Sequence, residues 1–296
     1  MKQLDPASAA ARDLASGRFR IRHMTVEEVD RIAIAWMRDA GWNPGLHDAA
    51  TFHAADPEGF LVGLLDGELI ACLSAVAYGD SFGFFGCYIV RADHRGGGYG
   101  MALHEAGRVR LAGRLQGGDG VLENVAIYEQ IGRRFAYRNA RFEGTAVAAP
   151  RAPGLAPLHD RDWPELLALD AACFPAPRER FLRAFLTQPD ATALVHRTGG
   201  ALDGFGLIRR CGSGWKVGPL FAQSPATASA LYDGLTGSIP AGDSFYLDIA
   251  EPNEEARALV ARHGLREVFA TARMYTGEAP QLRLDWVYGV TTFELG

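Results

Sequence analysis

The chain has 296 residues, about twice the length of a typical domain, so two domains are the first expectation. Hydrophobic residues make up 48% and charged residues 22%, with a mean hydropathy of −0.04, which excludes a largely disordered chain, and no apolar run reaches a membrane span. Lys+Arg 30 against Asp+Glu 35 gives a net charge of −5 and a pI near 5.9, the wrong sign for a nonspecific nucleic-acid binder.

Met1 to Arg18 lacks the apolar stretch of a signal peptide. The cysteines (Cys72, Cys87, Cys173, Cys211) are scattered, with no C-x-x-C and no nearby histidine pair. Neither a disulfide scaffold nor a metal cluster is expected, and a reducing, cytoplasmic setting fits. Phe19 to His23 reads as a first strand. Thr25 then caps a helix with Glu27 and Glu28 in its first turn and Val29, Ile32, Ala33 and Trp36 on one face.

Phe60 to Leu65 and Leu69 to Tyr78 are expected to form a hairpin through Asp66-Gly67. The turn Gly79-Asp80-Ser81 leads into a long aromatic and β-branched strand, Phe82 to Val90. After a glycine-rich loop, Arg95-Gly-Gly-Gly-Tyr-Gly100, a helix is expected over 101–115 with Leu103, Ala106 and Val109 inward. Gly120 to Val125 reads as a short strand, and a last helix and strand carry Tyr128 to Glu143. Alanine and proline then replace periodicity over Ala146 to Pro157, a linker dividing a unit over 19–147 from one over 153–296.

The second half repeats the order. Thr192 to Arg197 and Gly204 to Arg210 form a hairpin, and Trp215 to Phe221 stands where Phe84 to Val90 stands. A helix over Pro225 to Leu235, a strand over Phe245 to Ile249 and a helix over Asn253 to His263 follow. Met274, Tyr275 and then Val287 to Phe293 close the sheet. Two copies of one fold in tandem is the expectation. Divided at residue 148, the chain has 16 basic and 18 acidic residues before and 14 and 17 after, so neither half is a basic module.

The loop at residues 95–100 is the most informative segment. A strand ends at Val90, and Gly96, Gly98 and Gly100 let consecutive N–H groups converge at the positive end of a helix, a site for phosphate or pyrophosphate. Arg95 adds a fixed charge. A P-loop would need Lys and Ser/Thr after the glycines, and a dinucleotide fingerprint would need Gly at position 101, which is Met.

Arg95-Gly96-Gly97-Gly98-Tyr99-Gly100 resembles the R/Q-x-x-G-x-G/A signature of the GNAT N-acetyltransferases, in the same context of an antiparallel meander before it and a helix after it. The resemblance covers residues 19 to 145. It implies an α+β fold with two domains, each a mostly antiparallel mixed sheet flanked by helices, and it implies acetyl-CoA, or another acyl-CoA, bound at Arg95, Gly96, Gly97, Gly98, Tyr99 and Gly100. It further implies that N–H groups near Ile89 or Val90 polarise the thioester carbonyl. Tyr128-Glu-Gln-Ile-Gly132 resembles the family's Y-E-K-x-G-F segment, whose Tyr protonates the leaving thiolate; Arg133 stands where that segment has Phe.

An attacking amine also needs a base. Asp80, in the turn before the long strand, and Glu123, before Tyr128, are the candidates; His23 and His104 are weaker ones. In the second half, Ala222 to Ala228 has no glycine triplet and Pro225 removes a donor, so its cofactor loop is altered. That half is expected to shape the substrate cleft or a homodimer surface. Asp248 and Lys216, one of only two lysines, are candidate substrate contacts there.

The function implied is an acetyl-CoA-dependent N-acetyltransferase acting by direct transfer on a primary amine of a small molecule, without metal, membrane or nucleic acid. The alternative is a non-catalytic acyl-CoA-binding or regulatory module of the same tandem fold.

Overall fold

A computed structural model describes residues 4–148 and 152–296. Residues 149–151 of the expected linker lie outside the described residues. The first half runs α1 (Ala9–Ala15), β1 (Phe19–His23), then a helical run of α2 (Val26–Glu28), a π-helical stretch (Val29–Ile34) and α3 (Ala35–Asp39). It continues with α4 (Asp48–Ala55), β2 (Phe60–Leu65), β3 (Glu68–Tyr78), β4 (Phe82–Val90), α5 (Tyr99–Arg110), β5 (Leu115–Val121), α6 (Val125–Gln130) and β6 (Arg134–Thr145). The second half runs β7 (Leu155–Pro157), α7 (Trp163–Cys173), α8 (Glu179–Leu186), β8 (Ala191–Thr198), β9 (Ala201–Arg210) and β10 (Trp215–Ala222). It ends with α9 (Pro225–Thr236), β11 (Ser244–Ala250), α10 (Glu254–Arg262), β12 (Arg266–Tyr275) and β13 (Val287–Gly289).

Thr25 starts the first helical run through a reciprocal pair of bonds: its Oγ1 accepts from the Glu28 N–H at 3.3 Å, and the Glu28 carboxylate accepts from the Thr25 N–H at 3.2 Å. Val29, Ile32 and Ala33 are buried along that run. Asp66 and Gly67 both take positive φ, 50° and 87°, and close the β2–β3 hairpin.

Three expected elements differ. The closing strand expected over Val287 to Phe293 spans only Val287–Gly289. The helix after the glycine loop begins at Tyr99 and ends at Arg110, and Val109 faces outward at 61% exposure; Leu111, just past the helix end, is buried instead. The strand expected at Gly120 to Val125 lies earlier, as β5, and Leu122–Asn124 form a 3-10 turn. Bare backbone at Gly117 lets Phe82 and Tyr275 pack where a Cβ would come within 2.9 Å and 3.2 Å of their rings, and Gly120 receives the Tyr128 ring in the same way.

The sheet is mostly antiparallel; among the described residues only β4–β5 and β10–β11 pair in parallel. Its order is β1-β2-β3-β4-β5-β12-β6-β11-β10-β9-β8-β7, with β13 beside β10. β12 of the second half thus lies between β5 and β6 of the first, and β6 lies between β12 and β11. The two halves exchange long strands and share one sheet. The core follows: Phe52, Phe60 and Phe84 pack in one cluster with Phe174, Phe185, Phe205 and Phe221.

The crossing strands are locked by buried ion pairs. Asp119 on β5 holds Arg273 on β12 through two contacts of 2.8 Å and 2.7 Å, and Arg141 on β6 holds Asp248 on β11 at 2.7 Å and 2.8 Å. Asp248 is therefore committed to Arg141 and buried, not free for a substrate, while Asn253 caps α10. The Lys216 ammonium is likewise buried and donates to the Asn43 carbonyl at 2.8 Å.

Candidate active site

β4 and β5 pair only from Phe82–Leu115 to Phe85–Gly118. Beyond that point β4 bends: its register with β3 shifts between Cys72 and Ser74, and Cys87 takes a φ of 47°. Residues Gly86 to Val90 then face a gap instead of a neighbouring strand. This gap is the mouth of a cleft of about 520 Å³, lined by Tyr88, Ile89, Val90 and Arg95 on one side and by Asp119, Gly120, Val121 and Tyr128 on the other.

At the far end of β4, the Arg95 side chain donates from Nε to the Val90 carbonyl at 2.9 Å, folding the loop back onto the strand. Gly96 and Gly98 take φ of 81° and 90°, a conformation glycine adopts without strain. α5 starts directly after Gly98. Helix α1 braces the outside of the loop: the Ala10 N–H donates to the Gly97 carbonyl at 3.0 Å, and the Tyr99 hydroxyl donates to Asp13 Oδ2 at 2.6 Å. Among the described residues, none of the backbone N–H groups from Gly96 to Met101 has a protein acceptor. Six consecutive free donors at the start of a 12-residue helix are a ready anion cradle, and they fit the diphosphate of a CoA thioester.

Tyr128 stands on α6 with its ring over Gly120. Burial raises the pKa of its phenol, opposed by hydrogen bonds at Asn124 and Val121 and by the Arg133 charge, so the hydroxyl holds its proton at neutral pH. The expected bases are placed elsewhere. Asp80 points fully into solvent from the turn before β4, 3.6 Å from Arg114, and Glu123 is exposed on the 3-10 turn; neither lines the cleft. A strand residue at Glu123 would have faced the gap, but the turn that ends β5 swings it outward.

Three groups in the cleft were not singled out as functional from the sequence. Glu294, 4% exposed, lies against β4 where a Cβ on Gly86 would meet its carbonyl; its Oε2 has no partner among the described residues. Its tail is fixed by the Tyr78 hydroxyl donating to the Leu295 carbonyl at 3.0 Å and by Arg178 donating to Gly296 at 2.8 Å. Arg133 is buried beside Phe85. Trp42, Phe269 and Phe293 form an apolar wall on the Glu294 side, drawn from both halves. Asp119 also lines the cleft, but Arg273 and Asn139 already occupy its oxygens. The signals in the sequence were faint: a lone carboxylate after the apolar Val287 to Phe293 run, and an arginine in place of an aromatic residue.

Comparison with known proteins agrees with this geometry. Residues 26–123 match the acetyltransferase (GNAT) family, and residues 166–289 match a second acetyltransferase (GNAT) domain. The holothin acyltransferase of Pseudoalteromonas sp. (strain SANK 73390) is 27% identical over 267 residues, spanning 90% of this chain and 91% of that protein. A candidate acetyltransferase from Pyrococcus horikoshii superposes with a TM-score of 0.78 at 22% identity, covering 94% of this chain and 96% of the other. The tandem GNAT protein from the clavulanic acid biosynthesis pathway superposes at 0.61 with 14% identity, over 88% of this chain and all of that one. At these identities the two structures speak for the fold alone. With the sheet, the loop and both matched stretches in agreement, the chain belongs to the GNAT acyltransferase family and carries two GNAT domains in tandem.

Proposed function

We propose that this protein transfers an acyl group from acyl-CoA to the primary amine of a small molecule by direct attack. The observation that carries the reading is the row of free N–H groups from Gly96 to Met101, opening onto a cleft in which Tyr128 and Glu294 both stand. Those amides and Arg95 would hold the diphosphate of the donor, and the unpaired edge of β4 at Ile89 and Val90 would hold the pantetheine arm and polarise the thioester carbonyl. The donor supplies the activated acyl carbon; the chain's residues place it and move the protons.

The amine enters along Trp42, Phe269 and Phe293. Glu294 Oε2, which has no partner among the described residues, takes the proton the amine must shed, in place of Asp80 or Glu123, which lie outside the cleft. As the new C–N bond forms and the C–S bond breaks, the Tyr128 hydroxyl gives its proton to the departing sulfur. A relative of nearly equal length named as an acyltransferase supports this reading. The second half contributes Phe269 and Phe293 of the acceptor wall, together with Glu294. Its own helix start at α9 has the Thr227 N–H taken by the Ser224 hydroxyl at 3.1 Å and a proline in the first turn, an arrangement suited to packing.

Release of free thiol from acetyl-CoA across a panel of small amines tests the proposal. Turnover with at least one amine is expected, falling by roughly two to four orders of magnitude in Tyr128→Phe. Tight donor binding with no turnover on any amine would mean a non-catalytic binding module instead.

A further inference from the structure

The cleft holds a charge for which the described residues supply no carboxylate partner. Arg133 follows α6 and turns inward to 7% exposure. Its guanidinium lies over the Phe85 ring, 4.6 Å from the centroid, and a Cβ on Gly118 would sit 3.5 Å from its Nη1. Phe85 and Gly118 are the last paired residues of β4 and β5, so the guanidinium marks the point where the strands part. Nη1 has no hydrogen-bond partner among the described residues, and no carboxylate offsets the charge; only the Tyr128 hydroxyl contributes in that sense.

The rest of the molecule treats buried guanidinium groups differently. Arg141 pairs with Asp248, Arg178 with Asp170, Arg209 with Asp48 and Arg273 with Asp119. Among the described buried arginines, Arg133 alone has no carboxylate. Taking a cation out of water without a counter-charge carries a large penalty, which burial expresses by lowering the pKa of Arg133 to about 10. His104 packs on the same ring, stacking on Phe85 with ring centroids 5.0 Å apart, and its Nε2 also lacks a partner among the described residues. Both side chains line the cleft, and among the described residues neither of these nitrogens has a bonding partner.

The order along the cleft fixes what they would meet. The loop amides lie past Val90; Tyr128 covers Gly120; Arg133 reaches Gly118, two residues further toward the apex. From Val90 back to Phe85 is five strand residues, at most about 16 Å given the bend at Cys87. A thioester aligned with Tyr128 therefore points its acyl chain at Arg133, between the apolar walls of Leu73, Phe85 and Ile131. We infer that Arg133 and His104 form a subsite for an acyl group that ends in a carboxylate, so that the preferred donor is a short dicarboxylic acyl-CoA. The inference rests on the acyl-CoA reading above and specifies its acyl half.

Calorimetric titration with succinyl-CoA and with butyryl-CoA, which has the same number of acyl carbons, reads the subsite without requiring turnover. The native protein is expected to bind succinyl-CoA roughly ten- to a hundredfold more tightly, the range of a charge-assisted hydrogen-bonded pair. The preference is expected to vanish in Arg133→Gln and in Arg133→Phe. Equal affinity of the native protein for the two thioesters overturns the inference, and needs no variant to fold. A preference that survives Arg133→Gln overturns it as well. If neither thioester binds at all, the acyl-CoA reading falls and the subsite with it.

Discussion

Arg141 on β6 and Asp248 on β11 meet side by side at the seam between the two halves, Nε to Oδ1 at 2.7 Å and Nη2 to Oδ2 at 2.8 Å, with both side chains buried. Arg141 also donates to the Trp42 carbonyl at 2.8 Å and lies over the Phe293 ring, so the pair that joins the strands also shapes the cleft wall. Asp248→Ala would leave this guanidinium buried without its carboxylate. A loss of about 3–5 kcal/mol of unfolding free energy is expected in urea titration, against well under 1 kcal/mol for a typical exposed pair such as Arg183–Glu179.

His104 makes stability depend on pH. Burial and the nearby Arg133 charge lower its pKa to about 4, whereas the unfolded chain titrates near 6.5. Between those values the unfolded state binds the extra proton, so stability is fully present above about pH 6.5 and is lost as pH falls toward 4. The loss from this group approaches about 3 kcal/mol. His104→Gln should flatten the stability profile between pH 6.5 and 4 in denaturant titrations; an unchanged slope would show that the imidazole does not carry it.

Gly98 begins α5 with φ at 90°, and a Cβ there would lie 3.0 Å from the Ser8 Cβ. Gly98→Ala therefore strains the backbone by about 1–2 kcal/mol and crowds α1 against the loop. The free N–H groups would lose their alignment, and affinity for acetyl-CoA should fall by roughly tenfold in a binding titration.

Glu294→Gln keeps the shape of the side chain and removes its capacity to take a proton. Turnover is expected to fall by roughly two to four orders of magnitude while the dissociation constant for acetyl-CoA stays the same. Asp80→Asn and Glu123→Gln, both in solvent, should stay within about twofold of the native rate. A loss in either of these with none in Glu294→Gln would move the base out of the cleft.

Local chemistry made much of the architecture legible in advance. Asp66-Gly67, the Thr25–Glu28 box and the strand-loop-helix at Val90 to Tyr99 are written in neighbouring residues, and each forms as its residue types require. Pairing across the linker is not written there. Arg266 to Tyr275 shows β-forming character but carries no mark that its neighbours are β5 and β6, because that choice depends on Arg273 finding Asp119 some 150 residues away. The carboxylate proposed as base is not legible for the same reason. Asp80 and Glu123 lie close in sequence to β4 and Tyr128, while Glu294 reaches the cleft only because the chain end packs under Gly86. Helices α1, α4, α7 and α8 lie outside the expected elements: α4 and α7 give no clear apolar stripe, and α1 and α8, at seven and eight residues, are short.

In the proposed reaction the loop amides grip a donor diphosphate, and calorimetric titration of CoA itself into the native protein and into Gly98→Glu measures this directly. Saturable binding at one site in the native protein, lost when a carboxylate is placed among the amides, is the predicted result. Absence of binding, or binding that Gly98→Glu leaves intact while the protein remains folded, would contradict it.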